Sequence, residues 1–142
     1  MTSTTNSKPA DADPEVVVNA YFTAWTKGDV AGALACMTDD MTLTAPNGEY
    51  RGEAGYRDFL EGFLRLLDAV EDKTILVSGD TAVIWYRYTT HLPGLEPQIA
   101  AEHIKLRDGR IARIEYLFDQ VPFARALGSN SGADLHQAVN AR

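Results

Sequence analysis

The sequence is poor in cysteine, histidine and basic residues, and each shortage argues against a class of protein. A single cysteine, Cys36, cannot form an internal disulfide and is too few for a zinc or redox motif. The three histidines lie far apart, without the spacings typical of metal ligands, so we expect no metal site. Thirteen basic against twenty acidic residues give a net charge of −7, and no basic stripe is present, which argues against a nucleic-acid partner.

The chain also lacks long apolar runs. No segment approaches the roughly 18 consecutive apolar residues that a membrane-spanning helix needs, and the first residues do not resemble a secretory signal. We therefore expect a cytoplasmic protein that does not bind membranes. With 142 residues, 45% of them apolar, the composition is typical of one globular domain. Polarity predicts a disordered leader over residues 1–13, the domain over 14–127 and a tail over 128–142.

Apolar residues at helical spacing predict three helices in the first half of the chain. Asp13 and Pro14 begin the first, as an N-cap followed by proline at the first helical position. Asp29 caps a second, shorter helix, which we expect to include Met37. The third has the strongest pattern, with one face formed by Tyr56, Phe59, Leu60, Phe63, Leu64 and Leu67.

From residue 73 onward the period drops to two, and β-branched and aromatic residues dominate. Strands are indicated by KTILVSG, TAVIWYRYTTH, QIAAEHIKLR and RIARIEYLF, and a short one by residues 41–45. Asp108 and Gly109 form a candidate type I′ turn, and residues 122–127 predict a last short helix. Because no helix separates these later strands, we expect an antiparallel sheet and an α+β fold.

The strand TAVIWYRYTTH has no cleanly polar face, so both of its faces must be covered. One face carries Val83, Trp85, Arg87 and Thr89, and the other carries Ile84, Tyr86 and Tyr88. The long helix can cover only one of them. We expect the tyrosine-rich face, joined by Tyr116 and Phe118 or by their neighbours, to contact a second subunit, so that the protein is a homodimer through the outer sheet face.

Two stretches resemble the nuclear transport factor 2-like superfamily. AYFTAWTKGDVAGALACMTDDMTLTAP is similar to the opening of such domains, where an aromatic-rich helix, a GD turn, a second helix and paired aspartates precede a strand. EHIKLRDGRIARIEYLFD is similar to their closing hairpin, with a DGRI turn and an acid ending the last strand. The resemblance covers about residues 14–127. It implies a cone-shaped, curved antiparallel sheet wrapped around three N-terminal helices, with an apolar cavity open at one end.

Within this superfamily the chain is most similar to SnoaL-like polyketide cyclases, ketosteroid isomerases and limonene-epoxide hydrolases. The similarity to the isomerases implies that Tyr21 and a protonated Glu102 donate hydrogen bonds to a substrate oxyanion. Ala45, however, occupies the position of their proton-shuttling aspartate, which argues against steroid isomerisation.

The similarity to the epoxide hydrolases covers Arg87 and Asp119. Thr89 and Ala45 replace an acid and the water-holding asparagine of those enzymes, so their catalytic triad is incomplete. Asp119 also lies where SnoaL-like cyclases have their general acid/base aspartate, and an apolar pocket would raise its pKa towards neutrality. The resemblance therefore implies four catalytic residues, Asp119, Tyr21, Glu102 and Arg87.

Glu102 lies in mid-strand, where glutamate is disfavoured, so something must compensate for it. Two alternatives remain open: a protonated hydrogen-bond donor, or an anion paired with Arg87. Residues expected to bind the substrate are Trp25, Phe59, Phe63, Trp85, Thr89, His91 and Leu117.

These expectations together indicate a cofactor-independent SnoaL-like enzyme. It would catalyse acid/base cyclisation, isomerisation or a related rearrangement of a hydrophobic polyketide-like or polycyclic small molecule. A non-catalytic binding module of the same fold is one alternative, and an enzyme like limonene-epoxide hydrolase is another.

Overall fold

A computed structural model describes residues 13–127, which form four helices and six strands. The predicted leader up to residue 12 and the predicted tail from residue 128 lie outside this range. In chain order the elements are α1 (Pro14–Thr26), α2 (Val30–Leu34), β1 (Met37–Ala45), β2 (Gly48–Arg51), α3 (Gly52–Leu66), β3 (Leu67–Ser78), β4 (Thr81–Thr90), β5 (Gln98–Arg107), β6 (Arg110–Phe118) and α4 (Gln120–Ala126).

The first two helices begin where the sequence predicts. The side chains of Asp13 and Asp29 accept hydrogen bonds from first-turn backbone N–H groups at 3.0 and 2.9 Å. Helix α2 ends at Leu34, so the expectation that it includes Met37 is wrong. Met37 instead begins β1 and pairs with Ile111 of β6, because tertiary strand pairing outweighs the local helical pattern.

Helix α3 follows the strongest apolar pattern and buries Tyr56, Leu60 and Leu66. Strand β3 starts directly after it at Leu67, earlier than the predicted start at residue 73. The first half of β3 is largely exposed, and its pairing with β4 contains two register shifts. Its sequence therefore lacks the alternation of apolar and polar residues that would identify it as a strand.

The six strands form one curved, open sheet in the order β2-β1-β6-β5-β4-β3. Four neighbouring pairs are antiparallel, and β1 and β6 are parallel. The turn between β5 and β6 has positive φ angles at Asp108 (54°) and Gly109 (76°), as a type I′ hairpin requires. The predicted α+β class, with a curved and mainly antiparallel sheet around the N-terminal helices, is confirmed.

Tyrosines mark the inner face of this sheet and the helices that cover it. All six tyrosines of the chain are buried: Tyr21, Tyr50, Tyr56, Tyr86, Tyr88 and Tyr116. The expectation that the tyrosine-rich face contacts a second subunit is therefore wrong. Tyrosine is tolerated inside because its hydroxyl finds a partner, as in the bond between the hydroxyls of Tyr86 and Tyr116. The face with Val83, Trp85 and Arg87 is the one that points outward.

Helix α4 packs at one end of the inner face. It begins at Gln120, ahead of the predicted start at residue 122. Its Phe123 is buried, with its ring centroid 5.9 Å from that of Phe118 and 6.4 Å from that of Tyr88. The aromatic packing of the sheet thus continues into the last described helix.

Candidate active site

Glu102 is the one charged residue that is buried among residues 13–127, with no exposed surface. It lies in the middle of β5, and its cross-strand neighbours are Ile84 on β4 and Tyr116 on β6. Alternation along β5 directs Glu102 to the inner face and His103 to the outer face. Because burial disfavours a carboxylate, the groups around Glu102 decide its chemistry.

Two tyrosines from different helices lie beside this carboxyl group. Tyr21, on α1, donates a hydrogen bond to Oε1 of Glu102 at 2.5 Å, a short distance typical of a hydroxyl bound to a charged acceptor. Tyr56, on α3, has its ring centroid 6.4 Å from that of Tyr21 and interacts electrostatically with Glu102. Oε2 of Glu102 has no hydrogen-bond partner among the described residues. One oxygen of the carboxyl group is thus held, and the other is available.

Burial dominates the electrostatics of this group. It raises the pKa of Glu102 from 4.5 to about 7, against the opposing effect of the Tyr21 hydrogen bond. Burial, followed by the charge of Glu102, raises the pKa of both Tyr21 and Tyr56 well above the usual 10. At neutral pH Glu102 therefore populates both protonation states, while the two phenols stay neutral and can donate hydrogen bonds.

A small cavity adjoins the carboxyl group. Its volume is about 10 Å³, which is room for about one water molecule. The lining comes from α1, α3, β5 and β6 and consists of Tyr21, Trp25, Tyr56, Phe59, Leu60, Phe63, Glu102 and Tyr116. This space is much smaller than the cavity expected for a polycyclic compound, because aromatic rings from the helices and the sheet interdigitate there.

Five of the predicted site residues line this cavity: Tyr21, Trp25, Phe59, Phe63 and Glu102. Sequence reasoning misses three others, Tyr56, Leu60 and Tyr116. Tyr56 and Leu60 belong to the predicted apolar stripe of α3 and lie one helical turn or less from Phe59 and Phe63. Their helical spacing therefore already indicated that they line the same space. Tyr116 could be found only from the strand register, which pairs it with Glu102.

Asp119 lies apart from this group. Its side chain is exposed and accepts a hydrogen bond from the backbone N–H of Val121 at 3.0 Å, as the N-cap of α4. The expected position of Asp119 in an apolar pocket is therefore wrong. The physical reason is local, because the chain turns from β6 directly into α4 and an N-cap is needed there.

Three residues predicted to bind substrate lie on the outer face of the sheet. Trp85 and Leu117 are 53% and 65% exposed. Thr89 donates a hydrogen bond from Oγ1 to Oδ2 of Asp68 at 3.3 Å, between the adjacent strands β4 and β3. The expectation that these side chains line the cavity is wrong, because alternation along β4 and β6 turns them away from Glu102.

Arg87 and His91 are exposed as well. Nε of Arg87 is 3.9 Å from Oδ2 of Asp72, so the alternative in which Arg87 pairs with Glu102 is wrong. Arg87 and Asp119 are both exposed and neither lines the cavity, so the arrangement of the epoxide hydrolases is not assembled there. Nδ1 of His91 lies 3.9 Å from a carboxylate oxygen on β3, at the surface rather than in the predicted binding wall.

The polar groups of the cavity are one carboxyl group, three phenols and one indole N–H. Such a set is suited to hydrogen bonding and proton transfer. Within residues 13–127, no three histidine, cysteine, aspartate or glutamate side chains are grouped so that they could hold a metal ion. No helix in the described part of the chain combines the length and apolar character that crossing a membrane requires.

The chain is similar to one family of domains in sequence and to several solved structures in fold. The chain matches the SnoaL-like domain family over residues 18–114. A crystal structure from Kribbella flavida is 31% identical, with a TM-score of 0.72 over 78% of this chain and 90% of that one. None of the curated proteins matches the chain in sequence.

Two more distant structures share the fold. A candidate polyketide cyclase from Xanthomonas campestris pv. campestris is 21% identical, with a TM-score of 0.65 over 75% of this chain and 90% of that one. TerC, co-crystallised with polyporic acid, is 22% identical, with a TM-score of 0.66 over 82% of this chain and 100% of that one. From the family match and the Kribbella flavida structure together, the chain belongs to the SnoaL-like domain family of the nuclear transport factor 2-like superfamily.

Proposed function

We propose that this protein is a SnoaL-like enzyme that binds a hydrophobic small molecule beside Glu102 and uses that residue to transfer protons. The observation that carries the proposal is the carboxyl group itself, fully buried, with Tyr21 on one oxygen at 2.5 Å and no partner on the other. Burying a carboxyl group with one unpartnered oxygen lowers the stability of the fold, so its presence in an aromatic interior favours a chemical role.

The pKa of Glu102, about 7, suits both directions of proton transfer at neutral pH. As a carboxylate it removes a proton from carbon next to a carbonyl, and as an acid it returns one. Tyr21 donates to the same carboxyl group and is too weak an acid to lose its own proton. This assigns to Glu102 the proton-transfer role that the sequence suggested for Asp119.

Enolisation steps of this kind underlie ring closure and isomerisation. The reaction class therefore remains cyclisation, isomerisation or a related rearrangement of a polyketide-like or polycyclic compound, as the family resemblance suggests. TerC, which shares the fold, was crystallised with polyporic acid, and this supports a small organic ligand. No cofactor is needed for such proton transfers.

A ligand larger than one water molecule must displace side chains of the cavity lining. Two lining residues are less buried than the rest and can change their side-chain conformation more easily. Phe59 and Phe63, both on α3, are only half-buried, whereas the other six lining residues are buried. We therefore place the entrance at these two rings. Rotation of exposed and half-exposed side chains is fast compared with typical turnover.

The alternative is a binding module of the same fold without chemistry. Ala45 at the position of the isomerase aspartate favours this second candidate. It predicts stabilisation by ligands that are never converted.

An assay with a simple ketone, which does not require the natural substrate, separates the two candidates. With 2-tetralone in deuterated buffer, NMR measures the exchange of hydrogens next to the carbonyl group. The enzyme proposal expects exchange faster than in buffer, and a loss of about 10²–10⁴-fold in Glu102→Gln. Asp119→Asn is the matched control and should retain the wild-type rate. Equal rates in wild type and Glu102→Gln would refute the role of Glu102, and thermal stabilisation by 2-tetralone without any exchange would favour the binding module.

We also propose that a second copy of this chain covers the outer face of the sheet. Trp85, Ala101 and Leu117 form one cross-strand row there, and Val83 and Ile99 are exposed beside it. An apolar patch of this kind on a central sheet face is typical of interfaces.

The charges of the outer face suit a twofold contact. His103 and Arg113 lie 3.1 and 3.2 Å from the carboxylate oxygens of Glu115, and Arg87 lies near Asp72. Because these charges already have partners within the chain, a second copy on this face does not leave them unpaired. Sedimentation of the wild type should give a mass twice the 15.6 kDa of one chain. The Trp85→Lys variant should have the mass of a single chain. The control variant Val16→Lys, at an exposed site on α1, should keep the mass of two chains. A single-chain mass for the wild type at micromolar concentration would contradict this.

A further inference from the structure

Two polar atoms of the cavity lining have no hydrogen-bond partner among the described residues: Oε2 of Glu102 and Nε1 of Trp25. Both side chains are buried, at 0% and 2% exposure. A buried polar atom without a partner is costly and uncommon in folded proteins. Because both residues line the same small space, we expect something polar to occupy it.

The indole of Trp25 is held firmly in place. Its ring centroid lies 5.2 Å from that of Phe22, 5.4 Å from that of Tyr86 and 5.8 Å from that of Phe63, mostly edge to face. These contacts fix the direction of the N–H bond, because a rotated indole would collide with its neighbours. The N–H is therefore a preorganised donor.

The two atoms have complementary needs. Nε1 of Trp25 can only donate, so it needs an acceptor. Oε2 of Glu102 accepts when the carboxyl group is ionised and can donate when it is protonated. A water or hydroxyl oxygen satisfies the donor and the carboxylate together, and a carbonyl oxygen satisfies the donor and the protonated acid. The space of about 10 Å³ holds about one such oxygen.

We propose that Nε1 of Trp25 and Oε2 of Glu102 form a binding site for one oxygen atom, which belongs to water in the free protein and to a hydroxyl group of the ligand in the complex. Trp25 is then a specificity-determining residue that selects ligands with an oxygen on an apolar body. Binding of a ligand oxygen at this site rests on the proposed function. Binding of a water molecule there in the free protein does not depend on it.

Phenol and toluene are suitable probes, because they differ only in a hydroxyl in place of a methyl group. We expect wild type to bind phenol at least about tenfold more tightly than toluene, since toluene leaves both atoms without a partner. In Trp25→Phe this preference should fall by about fivefold, the effect of one lost hydrogen bond. Trp85→Phe makes the same substitution on the outer face and should leave the preference unchanged.

NMR of the indole N–H groups gives a readout that needs no variant. The chain has two tryptophans, and Trp85, which lies on the outer face of the sheet away from the cavity, is the internal control. In free wild-type protein we expect a rotating-frame Overhauser peak between the Trp25 indole proton and a long-lived water, with the sign opposite to that of chemical exchange. Phenol should shift the Trp25 signal, and toluene should shift it much less.

The outcomes separate this inference from the proposed function. A water peak together with a phenol-specific shift supports the oxygen site. Equal shifts with phenol and toluene, or no water peak in the free protein, overturn it, even if ketone exchange proceeds through Glu102. If neither probe binds, ligand binding at this cavity is refuted, and the water peak alone decides whether Trp25 and Glu102 share an oxygen.

Discussion

The two faces of the sheet use the same strands, and both carry aromatic and charged side chains. In one row across the inner face, Ile84, Glu102 and Tyr116 lie side by side, and all are buried. In the next row, Trp85 and Leu117 point outward and are largely exposed. The inner face carries one buried charged residue, Glu102, whereas the outer face carries several charged residues, among them Arg87 and Glu115. The cover differs as well, because α1 and α3 pack on the inner face, and that burial changes a carboxyl group from a solvated anion into a group that titrates near neutrality.

The largest expected contrast between the faces is in stability. Tyr86 has no exposed surface and its ring centroid lies 5.4 Å from those of both Phe22 and Trp25. Tyr86→Ala should therefore lower the free energy of unfolding by about 3–5 kcal/mol. Trp85→Ala, at the next position on the opposite face, should change it by less than about 1 kcal/mol in the monomer. Urea unfolding at concentrations where the chain is monomeric measures both. Comparable losses would contradict the assignment of the faces.

The second contrast is the pH dependence of stability. The folded protein holds the proton of Glu102 up to a pKa of about 7, whereas the unfolded chain releases it near 4.5. The folded state binds more protons between these values, so wild type should lose stability as the pH rises from about 4.5 to 7.

Glu102→Gln lacks this titration, so the difference in unfolding free energy between the two proteins should change by on the order of 3 kcal/mol between pH 4.5 and 8. Parallel pH profiles for wild type and Glu102→Gln would refute the raised pKa.

Asp119 tests whether an exposed acid at the end of the sheet acts as a cap. Asp119→Ala should destabilise α4 by about 1 kcal/mol, which hydrogen exchange at the backbone N–H of Val121 measures directly. Asp119→Asn should preserve that protection, because asparagine caps a helix about as well as aspartate does. A loss of ketone exchange in Asp119→Asn with the cap intact would return the proton-transfer role to this residue.

The smallest expected effect is at Arg87. Its contact with Asp72 is exposed and 3.9 Å long, so Arg87→Ala should change stability by less than about 0.5 kcal/mol. The pKa of Glu102 should not move either. A loss of several kcal/mol, as breaking a buried ion pair produces, would show that Arg87 pairs with Glu102 after all.

Much of the architecture is readable from the sequence where local signals and tertiary packing agree. Strands β5 and β6 match the stretches QIAAEHIKLR and RIARIEYLF, because period-two apolar residues mark most of each strand and a Gly-containing turn separates the two. Residues 67–72 are missed, since their apolar residues continue the helical pattern of α3 and their charged residues face solvent. Pairing with β4 makes them a strand, and single-sequence patterns do not report pairing.

The candidate site is only partly predictable for related reasons. Alternation separates Glu102 from His103, but it does not say which face α1 and α3 cover, and both faces carry aromatic residues. The size of the cavity depends on how rings such as Phe59 and Phe63 interlock, which no spacing rule gives. Asp119 carried a misleading signal: an acid at the end of the last strand fits a catalytic position and an N-cap equally well.

The most direct test of the account is the pKa of the Glu102 side chain, measured by the pH dependence of its carboxyl ¹³C chemical shift. We expect titration at about pH 7 in wild type. In Tyr21→Phe the pKa should be higher still, because the hydrogen bond that opposes the effect of burial is gone. A wild-type pKa near 4.5, unmoved by Tyr21→Phe, would show that the carboxyl group is solvated and would contradict the proposed proton transfer.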